Sequence, residues 1–268
     1  MTRLDLRNPF NAPIYHEETV GSTMDVSKAI AGEARHGTVV CADFQEAGRG
    51  RVPGRTWKTD RRDSLMFTTM LRFPRVADIP RALTLRTGLA VALAIEDFAP
   101  GLAGMVRIKW PNDVMLPVDE ADTPGFRKAV GILTEAEGGS VHIGIGVNLA
   151  QGEFPGDLRD KATSVAIAAG MEIDCGRRFA LLEMILARLH EELGTTGDTW
   201  RERVEARLYM RGARTGFAEG PADSPRVFRA DIVGIGPGGE LLVVRDGETL
   251  VRAVVSGEQV QGTLPSGP

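Results

Sequence analysis

The sequence predicts an α+β protein, a mixed or antiparallel sheet flanked by helices and followed by a small β-barrel unit. Three observations carry this. Runs rich in β-branched and aromatic residues outnumber helical patterns. Several of those runs meet at short glycine turns, which mark hairpins and not the crossovers of a doubly wound sheet. From Val227 onward, short strand patterns alternate with Gly-Gly and Asp-Gly turns, the texture of a small β-barrel. At 268 residues, 43% hydrophobic and 25% charged, the chain can bury a substantial core.

In chain order, residues 14–18 read as a strand, and TMDVSKAIAGEA reads as a short helix that Ser22 or Thr23 can cap. VVCADF and SLMFTTMLRF (Ser64 to Phe73) are strands, so the glycine- and arginine-rich stretch between them is a loop on a rigid sheet, where chemistry tends to be carried. Ile79 to Phe98 is apolar on nearly every face and predicts a helix packed deep against the sheet. MVRIKW is a strand. Pro117 to Gly125, with two prolines and three acids, reads as a solvated loop, and two strands then flank the Gly138-Gly139 turn. Leu182, Ile185, Leu186, Leu189 and Leu193 place an amphipathic helix over 177–193. FRADIVGI, ELLVV and TLVRAVV form a three-stranded meander. The boundary falls within 212–226, where Gly, Pro and Ala dominate, giving a large domain over 1–211 and a small domain over 212–268.

The totals exclude several classes. A net charge of −4 supplies no global field for nucleic acid or anionic membrane. The N-terminus MTRLDLRNPF lacks an apolar signal core, and the richest apolar stretch, Gly88 to Ile95, is far too short to span a bilayer. Cys41 and Cys175 read as small core thiols, in keeping with a reducing cytoplasm. The four histidines show no paired zinc spacing.

Within the loop, Arg49, Arg51 and Arg55 stand among Gly48, Gly50 and Gly54, and Trp57 closes the segment. A solvated basic loop is the ordinary reading of such a charge run. Against it, guanidinium groups offer the planar donor fork that phosphate oxygens accept, and glycines permit close backbone approach. Trp57 adds a flat apolar lid. The spacing fits neither a dinucleotide fingerprint nor a P-loop, so any phosphate is held by the arginines themselves. Gly234 to Gly239 formally satisfies G-x-G-x-x-G, but a strand follows it, which makes it a hairpin corner.

KWPNDV (Lys109 to Val114) combines a cation, a ring, a proline, an amide and a carboxylate. Pro-Asn-Asp alone is a turn signal. With its flanks, Lys109 can counter phosphate charge, Asn112 can hold a nucleotide or hydrated magnesium, and Asp113 can accept a hydrogen bond or act as a base. Lys128 is a further cation at a strand start. GIGVN (Gly144 to Asn148) places glycines where a ligand can pass a strand closely, then supplies an amide. Ser22 and Thr23 are ordinarily a helix cap.

Taken in order, GST near residue 22, QEAGRGR at 45–51, GRTW at 54–57, KWPND at 109–113, KAVGIL at 128–133 and GIGVN at 144–148 resemble the biotin protein ligase family over most of the chain. The resemblance implies a class II synthetase-like biotin/lipoate ligase catalytic fold with a C-terminal SH3-like β-barrel. It implies that biotin and Mg-ATP give biotinyl-5'-AMP and pyrophosphate, and that biotin then passes to one lysine of the biotin carboxyl carrier domain of a carboxylase. Catalytic roles fall on Lys128, Arg49, Arg51, Asp113 and Lys109. Biotin is implied to be bound by Ser22, Thr23, Gln45, Gly48, Arg49, Trp57, Lys128 and Gly131, and the nucleotide by Arg51, Arg55, Lys109, Asn112 and Asn148. Mg2+ is implied to be held mainly by the phosphates of ATP, near Asn112.

Three departures from the family pattern stand out. Val52-Pro53 adds a residue between GRGR and GR, Met24 stands where Asn is common, and about a dozen residues precede the first strand, which leaves no room for the DNA-binding domain of regulatory members. Nucleic acid and membrane are therefore not expected partners, while a homodimer paired through a sheet edge stays open. Two rival readings are a lipoate or octanoate protein ligase of the same fold, which generally lacks GRGR with KWPND, and a non-catalytic regulator that binds the adenylate.

Overall fold

The structure is a computed structural model and describes residues 1–52, 54, 56–57, 62–119, 125–220 and 225–260. The strands of its first half are β1 (Thr2–Leu4), β2 (Ile14–Val20), β3 (Thr38–Gln45), β4 (Ser64–Arg72), β5 (Arg107–Lys109), β6 (Asp113–Val118), β7 (Gly125–Glu137) and β8 (Ser140–Asn148). They form one eight-stranded sheet in the order β1-β2-β3-β4-β8-β7-β6-β5. Only β2 and β3 run parallel; α1 (Thr23–Ala29) lies in their crossover, and every other neighbour is antiparallel. The expected mixed sheet is present.

The two faces of this sheet differ because successive strand residues point to opposite sides. Along β8, Val141, Ile143, Ile145 and Val147 join the main core with Leu65, Phe67, Leu89 and Ile95. That core is closed by α2 (Leu83–Phe98) and α4 (Arg178–Gly194), which pack on each other. The alternate residues of β8 meet other partners. His142 reaches Ser27 of α1, and Gly144 and Gly146 approach Met24 and Trp57. One face is thus a helix-covered core and the other carries the pocket.

Several boundaries differ from the sequence reading. α1 stops at Ala29, where a chain of turns replaces the expected continuation. α2 begins at Leu83 and not at Ile79, because Pro80 and the left-handed Ala82 (φ 53°) break the pattern before it. Pro117 and Val118, expected in a loop, lie in β6 opposite Phe126 and Gly125. β5 pairs only as far as Met115 of β6, so Pro117 has a neighbouring strand on the β7 side alone, an edge position of the kind where proline is tolerated. The rest of that loop, residues 120–124, lies outside the described residues. β1, α3 (Val165–Ala169) and α5 (Thr199–Glu205) carry too little periodicity to be read in advance.

The C-terminal segment forms a second, antiparallel sheet from β9 (Arg214–Glu219), β10 (Arg226–Ile235), β11 (Leu241–Arg245), β12 (Val251–Val254) and β13 (Glu258–Val260). Its order is β12-β11-β10-β9-β13. The expected meander is therefore three consecutive strands, β10 to β12, on one side of a five-stranded sheet. This sheet is consistent with an SH3-like domain, but β12 and β13 stand as open edges among the described residues, so the expected barrel is not closed. GIGPGG is the β10–β11 hairpin corner, closed by a hydrogen bond from Gly236 N to Glu240 O at 2.8 Å. The β10–β11 hairpin is docked on the rest of the chain where Trp110 Nε1, in the turn after β5, donates to Gly239 O (3.0 Å) and where Ile235 N donates to Glu205 Oε1 of α5 at 2.9 Å.

Candidate active site

The pocket lies on the open face of the large sheet and has a volume of about 70 Å3. Its polar end is built at the start of α1. Ser22 caps that helix, its side chain accepting from Met24 N. Thr23 N and Thr23 Oγ1 both donate to Gln45 Oε1, at 2.8 and 3.1 Å, and Thr23 Oγ1 shares a 2.9 Å hydrogen bond with Thr68 Oγ1 from β4. Gln45 Nε2 has the Met66 sulfur as its neighbour at 3.5 Å. A buried ligand with N–H donors and a carbonyl can satisfy such hydroxyls and an amide, whereas one without them leaves polar groups desolvated at a cost of about 1–3 kcal/mol each.

The floor is formed by glycine. Gly131 and Gly146 face each other across β7 and β8, and a Cβ at either would lie 2.9 or 2.7 Å from the Trp57 ring. A Cβ at Gly48 would meet the Trp57 carbonyl oxygen at 2.9 Å. Gly131 and Gly146 thus let the indole lie against the sheet, and Gly48 lets the Trp57 backbone approach. The glycines of GIGVN are thus needed by the chain's own side chains, Trp57 at Gly146 and Met24 at Gly144. Trp57 Nε1 is buried and has no hydrogen-bond partner among the described residues.

The charged rim comes from three segments. Trp57 N donates to Gly48 O and Arg49 bridges Thr56, so the arginine segment turns back on itself as a short hairpin. Arg49 Nη2 pairs with Asp25 Oδ1 at 2.5 Å. Arg51 Nη2 donates to Gly257 O (2.9 Å) and pairs with Glu258 (3.3 Å). Lys128 Nζ stands 2.7 Å from Asp113 Oδ1 and 5.8 Å from the centre of the Trp57 ring. Its direction is set by a bulge: Val114 pairs with Val130 but Met115 pairs with Lys128, so Ala129 is the extra residue. Without that bulge Lys128, three residues before Gly131, would point to the opposite face. With it, a Cβ on Gly131 would sit 3.4 Å from Lys128 Nζ.

Of the residues singled out from sequence, Ser22, Thr23, Gln45, Arg49, Arg51, Trp57, Asn112, Lys128 and Gly131 line this pocket. Gly48 and Asp113 adjoin it through Trp57 and Lys128. Lys109 and Asn148 are not among its lining residues. Lys109 sits opposite Asp113 in the β5–β6 hairpin, and the buried Asn148 side chain donates to Thr163 O at 3.1 Å. Asn112 Nδ2 donates to Ile132 O (2.9 Å), tying the KWPND turn to β7. Arg55 lies outside the described residues. Met24, Thr68 and Gly144 line the pocket without having been assigned a ligand. Thr68 was hidden in a run read only as a strand, although its alternation with Phe67 places it on the open face.

A buried ionic cluster supports the loop's far end. Asp43 accepts from Arg178 Nη2 (2.6 Å) and Arg62 Nε (3.0 Å), and bonds His16 Nε2 (2.7 Å). Burial alone would raise the Asp43 pKa, but the His16 hydrogen bond, the Arg178 charge and the Arg62 hydrogen bond together hold it below the usual carboxylate value. Cys41 lies in the core, and burial pushes its thiol up to about 12. Among the described residues, no cluster of three or more His, Cys, Asp or Glu side chains is arranged to hold a metal, and no helix is long and apolar enough to cross a membrane.

The sheet and its pocket define a domain of the biotin/lipoate protein ligase class, and the model of the biotin/lipoate A/B protein ligase family matches residues 18–150. The biotin-(acetyl-CoA-carboxylase) ligase of Paracoccus denitrificans is 32% identical over 219 residues, covering 76% of this chain and 84% of that protein. This chain belongs to the biotin protein ligase family. The bifunctional ligase/repressor BirA of Bacillus subtilis (strain 168) is 38% identical over 170 residues, which cover 60% of this chain and 48% of BirA. The match thus spans about half the length of that relative. Among solved structures, the biotin protein ligase from Aquifex aeolicus in complex with biotin and ATP has a TM-score of 0.74 and 25% identity, covering 92% of this chain and 97% of that one.

Proposed function

We propose that this protein is a biotin protein ligase that makes biotinyl-5'-AMP from biotin and Mg-ATP and then transfers biotin to a lysine of a carboxylase carrier domain. The observation that carries this reading is one pocket with a hydroxyl-amide end (Ser22, Thr23, Gln45, Thr68) and a cationic rim (Arg49, Arg51, Lys128). The ureido ring presents two N–H donors and one carbonyl, which suits the first end. The carboxylate and the α-phosphate then fall at the second.

In the first half-reaction a biotin carboxylate oxygen attacks the α-phosphorus, the bond to the β-phosphate oxygen breaks, and pyrophosphate leaves. Both reactants are anions and the transition state gathers further charge, so cations already in place lower the barrier. Arg49, Arg51 and Lys128 supply them. Asp113 acts first as the counter-ion that aims Lys128. In the second half-reaction a lysine amine attacks the acyl carbon and AMP leaves; Asp113 is the carboxylate placed to orient that amine or take its proton. Trp57 walls the valeryl arm. Asn112, Lys109 and Asn148 are assigned to the nucleotide side, although the last two do not line the pocket. Asn112 is the residue that would stand beside magnesium carried in with the nucleotide, and the ion would supply further positive charge to the phosphates.

The catalytic unit is assigned to 1–211 and the small domain to 212–268, in a cytoplasmic protein whose partner is the carrier domain. The Aquifex aeolicus relative, solved with biotin and ATP, supports this choice of substrates. The matched family also contains lipoate ligases, and the polar end around Gln45 favours biotin over an acyl chain. Incubation with Mg-ATP and a carrier domain, with biotin and lipoate in parallel, tests the choice. Mass spectrometry is expected to find one biotin on the carrier lysine and no lipoyl product; lipoylation would reverse the assignment.

A further inference from the structure

The arginine segment is attached to two different supports. Arg51 is hooked to the C-terminal sheet through Gly257 O and Glu258, while Arg49, which belongs to the same short hairpin, is paired with Asp25 in the first turn of α1. Asp25 itself does not line the pocket. Its neighbours Ser22, Thr23 and Met24 do, so the carboxylate projects from the same helical turn that forms the polar end. The Arg49 and Asp25 side chains are 46% and 55% exposed, an accessibility at which an ion pair persists but is screened by salt.

We infer that Asp25 is a positioning residue: it holds the Arg49 guanidinium against the start of α1 and so keeps the arginine segment over the pocket, slowing escape of the bound adenylate. This rests on the proposed role of Arg49. The loop backbone at Arg49 is fixed by its bridge to Thr56, but the guanidinium lies at the end of a long flexible side chain, and Asp25 is its hydrogen-bond partner. Removing the carboxylate frees that side chain to sample solvent. The hydroxyl-amide end is left intact, because Gln45, Thr23 and Thr68 bond one another without Asp25.

The test is release of preformed radiolabelled biotinyl-AMP into a trap, for the wild type, Asp25→Asn and Asp25→Glu, across a salt series. Asp25→Asn is expected to release the adenylate about threefold faster at low salt, with the KM for biotin raised by a similar factor, because an exposed ion pair contributes only a small factor. The gap should close at about 1 M salt, where screening removes the pair in the wild type as well. Asp25→Glu, which keeps the charge, should release at the wild-type rate. A role confined to α1, where the helix dipole also favours Asp25 and is also screened by salt, would leave Asp25→Asn with the same effect in an Arg49→Ala background. The inference predicts no further change there, and an undiminished effect in that background overturns it. So does equal release by the wild type and Asp25→Asn at low salt. If the wild type forms no adenylate from biotin and Mg-ATP, the functional reading itself fails and the inference falls with it.

Discussion

At the residue scale, the Gly131–Gly146 pair and the Trp57 ring make the sharpest demand on the sequence. Gly146→Ala places a methyl group 2.7 Å from Trp57 Cε2, so the indole must leave the sheet. Adenylation is expected to fall by about 10- to 100-fold, since a displacement of about 1 Å in a positioning group costs that much. Tryptophan fluorescence should report the moved ring; an unchanged rate and spectrum would show that the close packing is not needed. Much of this site was legible in sequence. GRGR, KWPND and the glycines of GIGVN pointed to one anion-binding pocket because glycine beside cations is a costly arrangement for an ordinary surface. What could not be read was which partner each cation meets, because Asp25, Glu258 and Asp113 lie in separate segments that only the fold brings together.

At the scale of elements, one buried polar pair and one buried ionic cluster dock the parts that carry the site. His142 lies under α1 and shares a 2.9 Å hydrogen bond with Ser27. Burial, helped by the Lys28 charge, lowers its pKa from the usual value near 6.5. A histidine depressed in the folded state takes up protons more readily when unfolded, so its contribution to stability is complete above about pH 6.5 and declines as the pH falls toward the folded value. Urea unfolding between about pH 7 and 5 should show this slope, and His142→Gln should flatten it; equal slopes would assign the effect to other groups.

The Asp43 cluster clamps β3 to β2, to α4 and to the end of the arginine loop. Asp43→Asn leaves the buried Arg178 guanidinium without its counter-charge, which typically costs about 3–5 kcal/mol. Because the Asp43 pKa is held low, the contribution is present above the unfolded carboxylate pKa and is lost as pH falls through the folded value, so the penalty should be measured near neutrality. The helices α2 and α4 and the hairpin β7–β8 were plain from periodicity and from the Gly138-Gly139 turn. The bulge at Ala129 was not, since one extra residue leaves no mark on an apolar run.

At the scale of the whole molecule, the C-terminal sheet helps support the elements that form the pocket. It touches the KWPND turn through Trp110 and Gly239, the start of α2 through Gly239 and Ala82, and the arginine loop through Gly257 and Glu258. Its open β12–β11–β10–β9–β13 order was legible only as a meander, because β13 returns to β9 across the length of the domain and such non-local pairing has no sequence period.

The account depends on Lys128 and the two loop arginines meeting one phosphate beside the polar pocket. Single-turnover formation of biotinyl-5'-AMP from biotin and Mg-ATP measures that most directly. The wild type should accumulate the adenylate, and Lys128→Ala should form it about 100-fold more slowly while remaining folded, as expected when one well-placed charge is lost from a transition state. Equal rates for the two proteins, or no adenylate from the wild type, would contradict it.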